Sequence, residues 1–317
     1  MIQTKKFFSI QGKDKEYENL RVSIDCQDIR DFIEDMWKEF LPYADSKFLS
    51  KARDEDFQAH YWEMYLGYSL LRQNMQIEPR IERESPDEGP DFRILAPYRL
   101  WIEAITPSAG TTEDAVPEAT LGVARNVPDN EAKLRLLHAI REKAKQRLDF
   151  IKKGQIRDTD CYVVAVNTGK FPFLPDIDPP RIVRAVFGLG LPEVSMDVRS
   201  RTLFDLRYQP KDKISKKRSS ELISSKIFLK REQYKPDHLD YRGYEGLSAV
   251  LSSKMTPFSE PLFNHSKFVI GDDYCIVHNL MANKQNQLPI GFLQLGQEYW
   301  TNDAGVLNSR LWFNERV

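Results

Sequence analysis

The run CYVVAVN, residues 161–167, constrains the fold more than any other segment. It carries no charge and no alternation of polar and apolar positions, which predicts a strand buried on both faces. Such a strand needs a covering layer on each side. Residues 131–154 supply one layer, because their apolar positions recur at helical spacing and Gly154 predicts the end of the helix.

The chain ahead of this helix changes from helical to strand-like patterning. Residues 28–41 place apolar side chains on one helix face, and a second helix is predicted over 54–74. Three short strand-like segments follow, IEPRIE, DFRIL and RLWIEAI, and then a long loop over 106–130. The order helix, three strands, helix, strand predicts an α/β fold with a mixed sheet flanked by helices.

The length of 317 residues allows one large domain or a core with a smaller unit. We expect an N-terminal helical region over 1–53, a core over 54–170 and a C-terminal α+β extension over 171–317. The extension either binds substrate or belongs to the same domain. Within it, GLSAVLSSKM predicts a short helix or strand, and DYCIVHNLMAN predicts a buried strand.

Charge and cysteine content limit the kinds of function that the chain can have. The 46 Lys and Arg nearly balance the 47 Asp and Glu, so a nucleic-acid surface would have to come from local clustering. Cys26, Cys161 and Cys275 form no CxxC pair, which argues against a zinc site or a disulfide framework. No segment has the length of a membrane span or of a signal-peptide core. The expectation is a soluble, cytoplasmic protein without a membrane partner.

Two carboxylates stand out in the strand-like segments. Asp91 begins DFRIL, and Glu103 lies in LWIEAI on the strand face of Trp101 and Ile105, opposite Leu100, Ile102 and Ala104. A carboxylate in an apolar strand is costly unless a partner offsets its charge, and a divalent cation suits two converging carboxylates. Mg²⁺ is the natural candidate. Taken singly, Asp91 can also be a turn residue and Glu103 a solvent-facing residue of an edge strand.

Pro90-Asp91, a hairpin spacer and Glu103-Ala104 resemble the signature of the PD-(D/E)xK nucleases over residues 55–170. The resemblance implies a restriction-endonuclease-like fold and Mg²⁺-dependent hydrolysis of phosphodiester bonds, with Mn²⁺ as a substitute ion. The substrate would be DNA more readily than RNA, with restriction or defence as the biological setting. Asp91 and Glu103 would be catalytic metal ligands, and Glu63 on the preceding helix a third ligand.

Ile105 departs from this signature, because the family has a lysine there. Members of the family also carry that lysine on the following helix, where Lys143 and Lys145 are the candidates. Lys143 is the preferred one, and Arg141 and Arg93 are further options. The same departure supports a second hypothesis, a catalytically inactive nuclease fold that binds nucleic acid or protein.

Residues 211–235 hold nine basic and three acidic side chains. The cluster Lys216, Lys217 and Arg218 predicts contact with nucleic-acid phosphates. A solvated charged loop is the alternative for the same pattern. The sequence leaves both a monomer and a homodimer open.

Overall fold

The computed structural model describes residues 6–118, 120, 122, 126–171, 176–197, 199, 202–228, 244–259, 269–302 and 305–312. The helices are α1 Lys15–Val22, α2 Gln27–Phe40, α3 Phe48–Asp54, α4 Phe57–Arg72, α5 Asp129–Lys152 and α6 Arg181–Phe187. The first six strands are β1 Gln76–Ile77, β2 Phe92–Ala96, β3 Leu100–Ile105, β4 Cys161–Asn167, β5 Leu189–Asp197 and β6 Thr202–Pro210. The remaining strands are β7 Lys213–Ser215, β8 Leu222–Ser224, β9 Ala249–Ser253, β10 Cys275–His278, β11 Gln297–Thr301 and β12 Leu307–Leu311.

Eight of these strands form one mixed sheet in the order β1-β2-β3-β4-β9-β10-β11-β12. Strands β3, β4 and β9 are parallel neighbours, and β10 and β11 form a second parallel pair. The other neighbours in the sheet are antiparallel. The chain is therefore a mixed α/β protein whose large sheet is flanked by helices.

The sheet separates two hydrophobic cores. Leu100 and Ile102 of β3 face a core built with α1 to α4, and we call it the α4-side core. Trp101 of β3 and Val164 of β4 face a core built with α5 and α6, the α5-side core. The predicted division of the faces of β3 is confirmed, because alternate strand residues enter opposite cores.

Helix α4 lies close against the sheet. The Asp56 side chain caps its first turn by accepting a hydrogen bond from the Ala59 backbone N–H at 3.0 Å. Gly67 allows the close approach, since a Cβ there would stand 2.6 Å from a ring carbon of Phe40 and 2.9 Å from one of Phe92. The helix on which Glu63 lies is thus held directly over the β2–β3 hairpin.

The helices predicted over 54–74 and 131–154 are confirmed as α4 and α5, and Gly154 takes a φ of +74° just after α5. The strand predicted for IEPRIE is wrong beyond Ile77. Pro79 lacks a backbone N–H for a ladder, and Arg80–Glu82 form a 3-10 turn instead. The segments at 246–255 and 273–283 contain strands β9 and β10.

Residues 171–317 supply half of the large sheet. Strand β9 pairs with β4 in parallel, although α6 and the hairpins β5–β6 and β7–β8 lie between them in the chain. The sheet and both cores consequently contain residues from the 54–170 and the 171–317 ranges. Within the part of the chain that the structure describes, no helix combines the length and the apolarity needed to cross a membrane.

Candidate active site

The β2–β3 hairpin brings Asp91 and Glu103 together. Phe92 pairs with Ile102, and the antiparallel register places the preceding Asp91 opposite Glu103. Asp91 Oδ2 accepts a hydrogen bond from the Ala104 N–H at 2.7 Å, and the Asp91 N–H donates to Glu103 Oε2 at 3.2 Å. These reciprocal bonds hold the two carboxylates side by side at one end of the hairpin.

Lys143 reaches this pair from α5. Its Nζ donates to Glu103 Oε1 at 2.6 Å and to Gln146 Oε1 at 3.1 Å. The side chain of Lys143 is 17% exposed and that of Glu103 is 5% exposed, so the ion pair is largely shielded from water. The structure therefore places Lys143 of α5 in contact with Glu103, the carboxylate that precedes the usual lysine in the Glu-x-Lys signature.

The other cations considered from the sequence lie in different surroundings. Lys145 is half exposed and pairs with Glu142 on the same helix at 3.3 Å. Arg93 pairs with Glu78 at 2.9 Å, and its guanidinium lies 5.1 Å from the Trp101 ring centre. Arg141 is partly buried on α5.

Glu63 approaches from the opposite layer, on α4. Burial raises its pKa well above the ordinary value, and the negative charges of Asp91 and Glu103 add to this effect while Arg80 opposes it. The three predicted carboxylates are thus close enough to perturb one another electrostatically.

The pKa values of Lys143 on α5 and Glu103 on β3 are shifted by the same burial and by the neighbouring charges. Burial and the Asp91 charge raise the pKa of Glu103 to about 7, against the opposing effect of Lys143. Burial alone would lower the pKa of Lys143, but the charges of Glu103 and Asp91 outweigh it and raise that pKa. Lys143 is therefore a protonated cation at neutral pH, and Glu103 is poised between its two forms.

The ligand chemistry suits Mg²⁺, since hard carboxylate oxygens are its usual protein ligands and one or two of them suffice beside water and phosphate. Asp91 and Glu103 provide such a pair. Among the described residues, no group of three or more His, Cys, Asp or Glu side chains is arranged to hold a metal ion. Glu63 would have to move closer to act as a third ligand.

Two arginines at this site were not singled out from the sequence. Arg83 donates to the backbone oxygens of Pro90 at 2.7 Å and of Asp91 at 2.9 Å, so it supports the Pro-Asp turn. Arg80 Nη2 lies 3.5 Å from Asp91 Oδ1. Arg80 belongs to the segment that was predicted as a strand, and Arg83 directly follows it. Two arginines three residues apart, ahead of the Pro-Asp pair, were the available signal.

The predicted phosphate contacts lie beside the first turns of α5. Lys216 pairs with Glu221 at 2.7 Å and Lys217 with Glu131 of α5 at 2.5 Å, whereas Arg218 is exposed. The basic residues of 229–235 lie outside the described residues. Contact with nucleic acid through Lys216, Lys217 and Arg218 stays a prediction.

No protein-family model, curated protein or solved structure matches this chain. A fold class alone does not determine an activity, because unrelated functions share the same architectures. The geometry and electrostatics of the site around Asp91 and Glu103 are therefore the basis for assigning a function.

Proposed function

We propose that the chain is a metal-dependent phosphodiesterase, an endonuclease with a PD-(D/E)xK-like site and a restriction-endonuclease-like fold. The contact between Lys143 and Glu103 is the observation that carries the proposal. It joins a lysine to the Asp91 and Glu103 pair at the end of a hairpin although Ile105 occupies the usual lysine position.

In this proposal Asp91 and Glu103 hold Mg²⁺, for which Mn²⁺ can substitute, and Glu63 is a third ligand from α4. A bound ion would lower the pKa of a coordinated water and neutralise charge on the scissile phosphate. Lys143 favours the ionised form of Glu103 and presents an ammonium donor beside it, where it can orient the attacking water. The hydrogen bonds from the Asp91 N–H to the Glu103 carboxylate and from the Ala104 N–H to the Asp91 carboxylate keep the two carboxylates side by side.

The proposed substrate is DNA rather than RNA, as the resemblance implies. Asp114 of the loop after β3 and the segment 211–228 both lie near the N-terminal half of α5, since Lys217 contacts Asp114 through its backbone and Glu131 through its side chain. These segments are the candidates for contact with the nucleic-acid backbone.

One observation favours the inactive nuclease fold as a second candidate. Lys143 and Arg80 lie against Glu103 and Asp91 as counter-ions within the protein. A protein that had lost catalysis could retain these ion pairs as structural elements.

Cleavage assays separate the two candidates. Wild-type protein, Asp91→Ala and Glu103→Ala would be incubated with plasmid and linear DNA in Mg²⁺ or Mn²⁺, beside Glu142→Ala as a control at a half-exposed position of α5. We expect cleavage by the wild type and the control and none by the two site variants. Absence of cleavage and of metal binding by calorimetry in the wild type would support the inactive fold, whereas cleavage that survives both substitutions would refute this site.

A further inference from the structure

Arg80 is a buried arginine at the edge of the proposed metal site. It begins the 3-10 turn Arg80–Glu82 between β1 and β2, and only 5% of the residue is exposed. Its Nη2 lies 3.5 Å from Asp91 Oδ1, and its Nη1 donates to the Glu88 backbone oxygen at 3.3 Å. Both contacts are long for a guanidinium with charged or carbonyl oxygens.

The guanidinium of Arg80 has hydrogen-bonding capacity left over. Its Nε–H is buried and meets no acceptor among the residues that the structure describes. The neighbouring Arg83 also has a buried Nε without a hydrogen bond, 3.6 Å from Glu78 Oε2, but its two Nη atoms donate bonds shorter than 3.0 Å to the backbone oxygens of Pro90 and Asp91, whereas both Nη contacts of Arg80 are longer. A buried charged donor without an acceptor is unfavourable, so the position of Arg80 indicates that an acceptor joins it in the functional state.

The charges around Asp91 indicate what that acceptor is. Arg80 and Arg83 both lie beside Asp91, and Lys143 lies beside Glu103. A divalent cation bound by these carboxylates would add two further positive charges to the site, and this cluster would attract an anion. A phosphodiester carries one negative charge, and planar guanidinium donors match its oxygens.

We propose that Arg80 is a phosphate-binding residue of this site, and that its Nε–H and one Nη–H donate to a non-bridging oxygen of the phosphodiester held at Asp91. The proposal rests on the proposed metal site. It adds a substrate contact on the β1–β2 side, opposite the contribution of Lys143 from α5.

A purely structural role for Arg80 predicts a different behaviour. A structural counter-ion of Asp91 would, when removed, disturb the carboxylate and weaken metal binding. If Arg80 instead binds phosphate, its replacement would leave Mg²⁺ binding intact or tighter, because Arg80 competes with the ion for Asp91. The affinity for phosphate would fall in that case.

The test uses the full chain with thymidine 5′-monophosphate as the phosphate probe. Mg²⁺ affinity would be measured by calorimetry, and nucleotide affinity in saturating Mg²⁺ by ³¹P NMR titration, for wild type, Arg80→Gln and Arg80→Lys. Arg93→Gln is the matched control, because Arg93 lies on β2 two residues from Asp91 and its side chain is 35% exposed in its pair with Glu78. Arg80→Gln should weaken nucleotide binding about tenfold or more, the effect of losing a charge-assisted hydrogen bond, with Mg²⁺ binding retained.

Equal nucleotide affinity in wild type and Arg80→Gln, or no nucleotide binding by the wild type, would overturn the proposal. If Arg80→Gln does not fold, Arg80→Lys decides, because it keeps the charge and loses the planar pair of donors. In that case an unchanged nucleotide affinity overturns the proposal and a severalfold loss supports it.

These outcomes are distinct from those that test the nuclease activity. DNA cleavage with an unchanged KM in Arg80→Gln would refute the phosphate contact and leave the nuclease proposal standing. Nucleotide binding that depends on Arg80, in a protein that cleaves no DNA, would support the phosphate contact and refute the nuclease proposal.

Discussion

Lys143 and Glu103, forty residues apart in the chain, form a shielded ion pair of 2.6 Å between α5 and β3. The register of β3 directs Glu103 towards α5, and the helix rotation directs Lys143 back to the strand. The contact places a cation beside a carboxylate whose neighbour Asp91 carries a second negative charge.

Replacement of Lys143 by alanine tests whether this contact serves catalysis. If Lys143 orients the attacking water, Lys143→Ala should lower the single-turnover rate of DNA cleavage by about a hundredfold or more, within the range of positioned proton-transfer groups. Lys145→Ala, two residues away but half exposed, should cleave at the wild-type rate. Equal losses in the two variants would argue against a specific role for Lys143.

Metal binding should depend on pH through Glu103. Burial and the charge of Asp91 raise the pKa of Glu103 to about 7, so below that pH an incoming ion must displace a proton. The apparent affinity for Mg²⁺ should therefore increase from pH 6 to pH 8. Calorimetry in two buffers of different ionisation enthalpy would measure the released protons, and an affinity independent of pH over this range would contradict the prediction.

The free energy of unfolding of the metal-free protein should decrease as pH rises, whereas the affinity for Mg²⁺ increases. A carboxyl group whose pKa is raised on folding contributes stability below its unfolded pKa near 4.5 and loses that contribution as pH rises through about 7. Mg²⁺ should consequently raise the melting temperature more at pH 8 than at pH 6, as differential scanning calorimetry can show. A larger metal-induced increase at pH 6 would refute this assignment.

The sequence predicted those features of the site that depend only on residues close together in the chain. Strand alternation was sufficient to predict the face of Glu103, and a Pro-Asp pair before a short turn was sufficient to predict that Asp91 lies near it. The choice between Lys143 and Lys145 depends on how α5 is rotated over the sheet, and helical angle alone left both beside the apolar stripe. Arg80 was missed because its segment was predicted as a strand.

The pairing of β4 with β9 was also beyond the sequence pattern. Eighty-one residues separate Asn167 from Ala249, and each strand has the same apolar character as several others in the chain. Local periodicity predicts that a strand is buried but carries no information on which distant strand pairs with it. The extent of the sheet therefore required the structure.

A buried carboxylate outside the site should dominate the stability of the far edge of the sheet. Glu298 of β11 is fully buried and accepts hydrogen bonds from His278 Nε2 at 3.1 Å, the Gly291 N–H at 2.9 Å and Trp312 Nε1 at 2.7 Å. Glu298→Gln should reduce the free energy of unfolding by about 2–5 kcal/mol, because an amide cannot accept all of these bonds. Urea denaturation would measure the loss, with Glu142→Gln as the exposed control.

The stabilisation by Glu298 should weaken on acidification, as the direction of its pKa shift requires. Burial raises the pKa of Glu298, but the hydrogen bonds from His278 and Trp312 outweigh burial and hold it below the ordinary value. The stabilisation is therefore present above pH 4.5 and is lost as pH falls towards the folded-state pKa. The difference between wild type and Glu298→Gln should shrink on acidification, and a difference that grows would contradict the assignment.

Gly67 tests how α4 positions Glu63. A Cβ at position 67 would overlap the rings of Phe40 and Phe92, which lie 2.6 Å and 2.9 Å from that point. Gly67→Ala should therefore destabilise the protein by about 1–3 kcal/mol through overpacking, despite the higher helix propensity of alanine. Addition of Phe40→Leu should recover part of this loss, because the smaller side chain can yield space to the new methyl group. Urea denaturation of the single and double variants would measure both changes, and a more stable Gly67→Ala would show that α4 does not press against the hairpin as closely as these distances require.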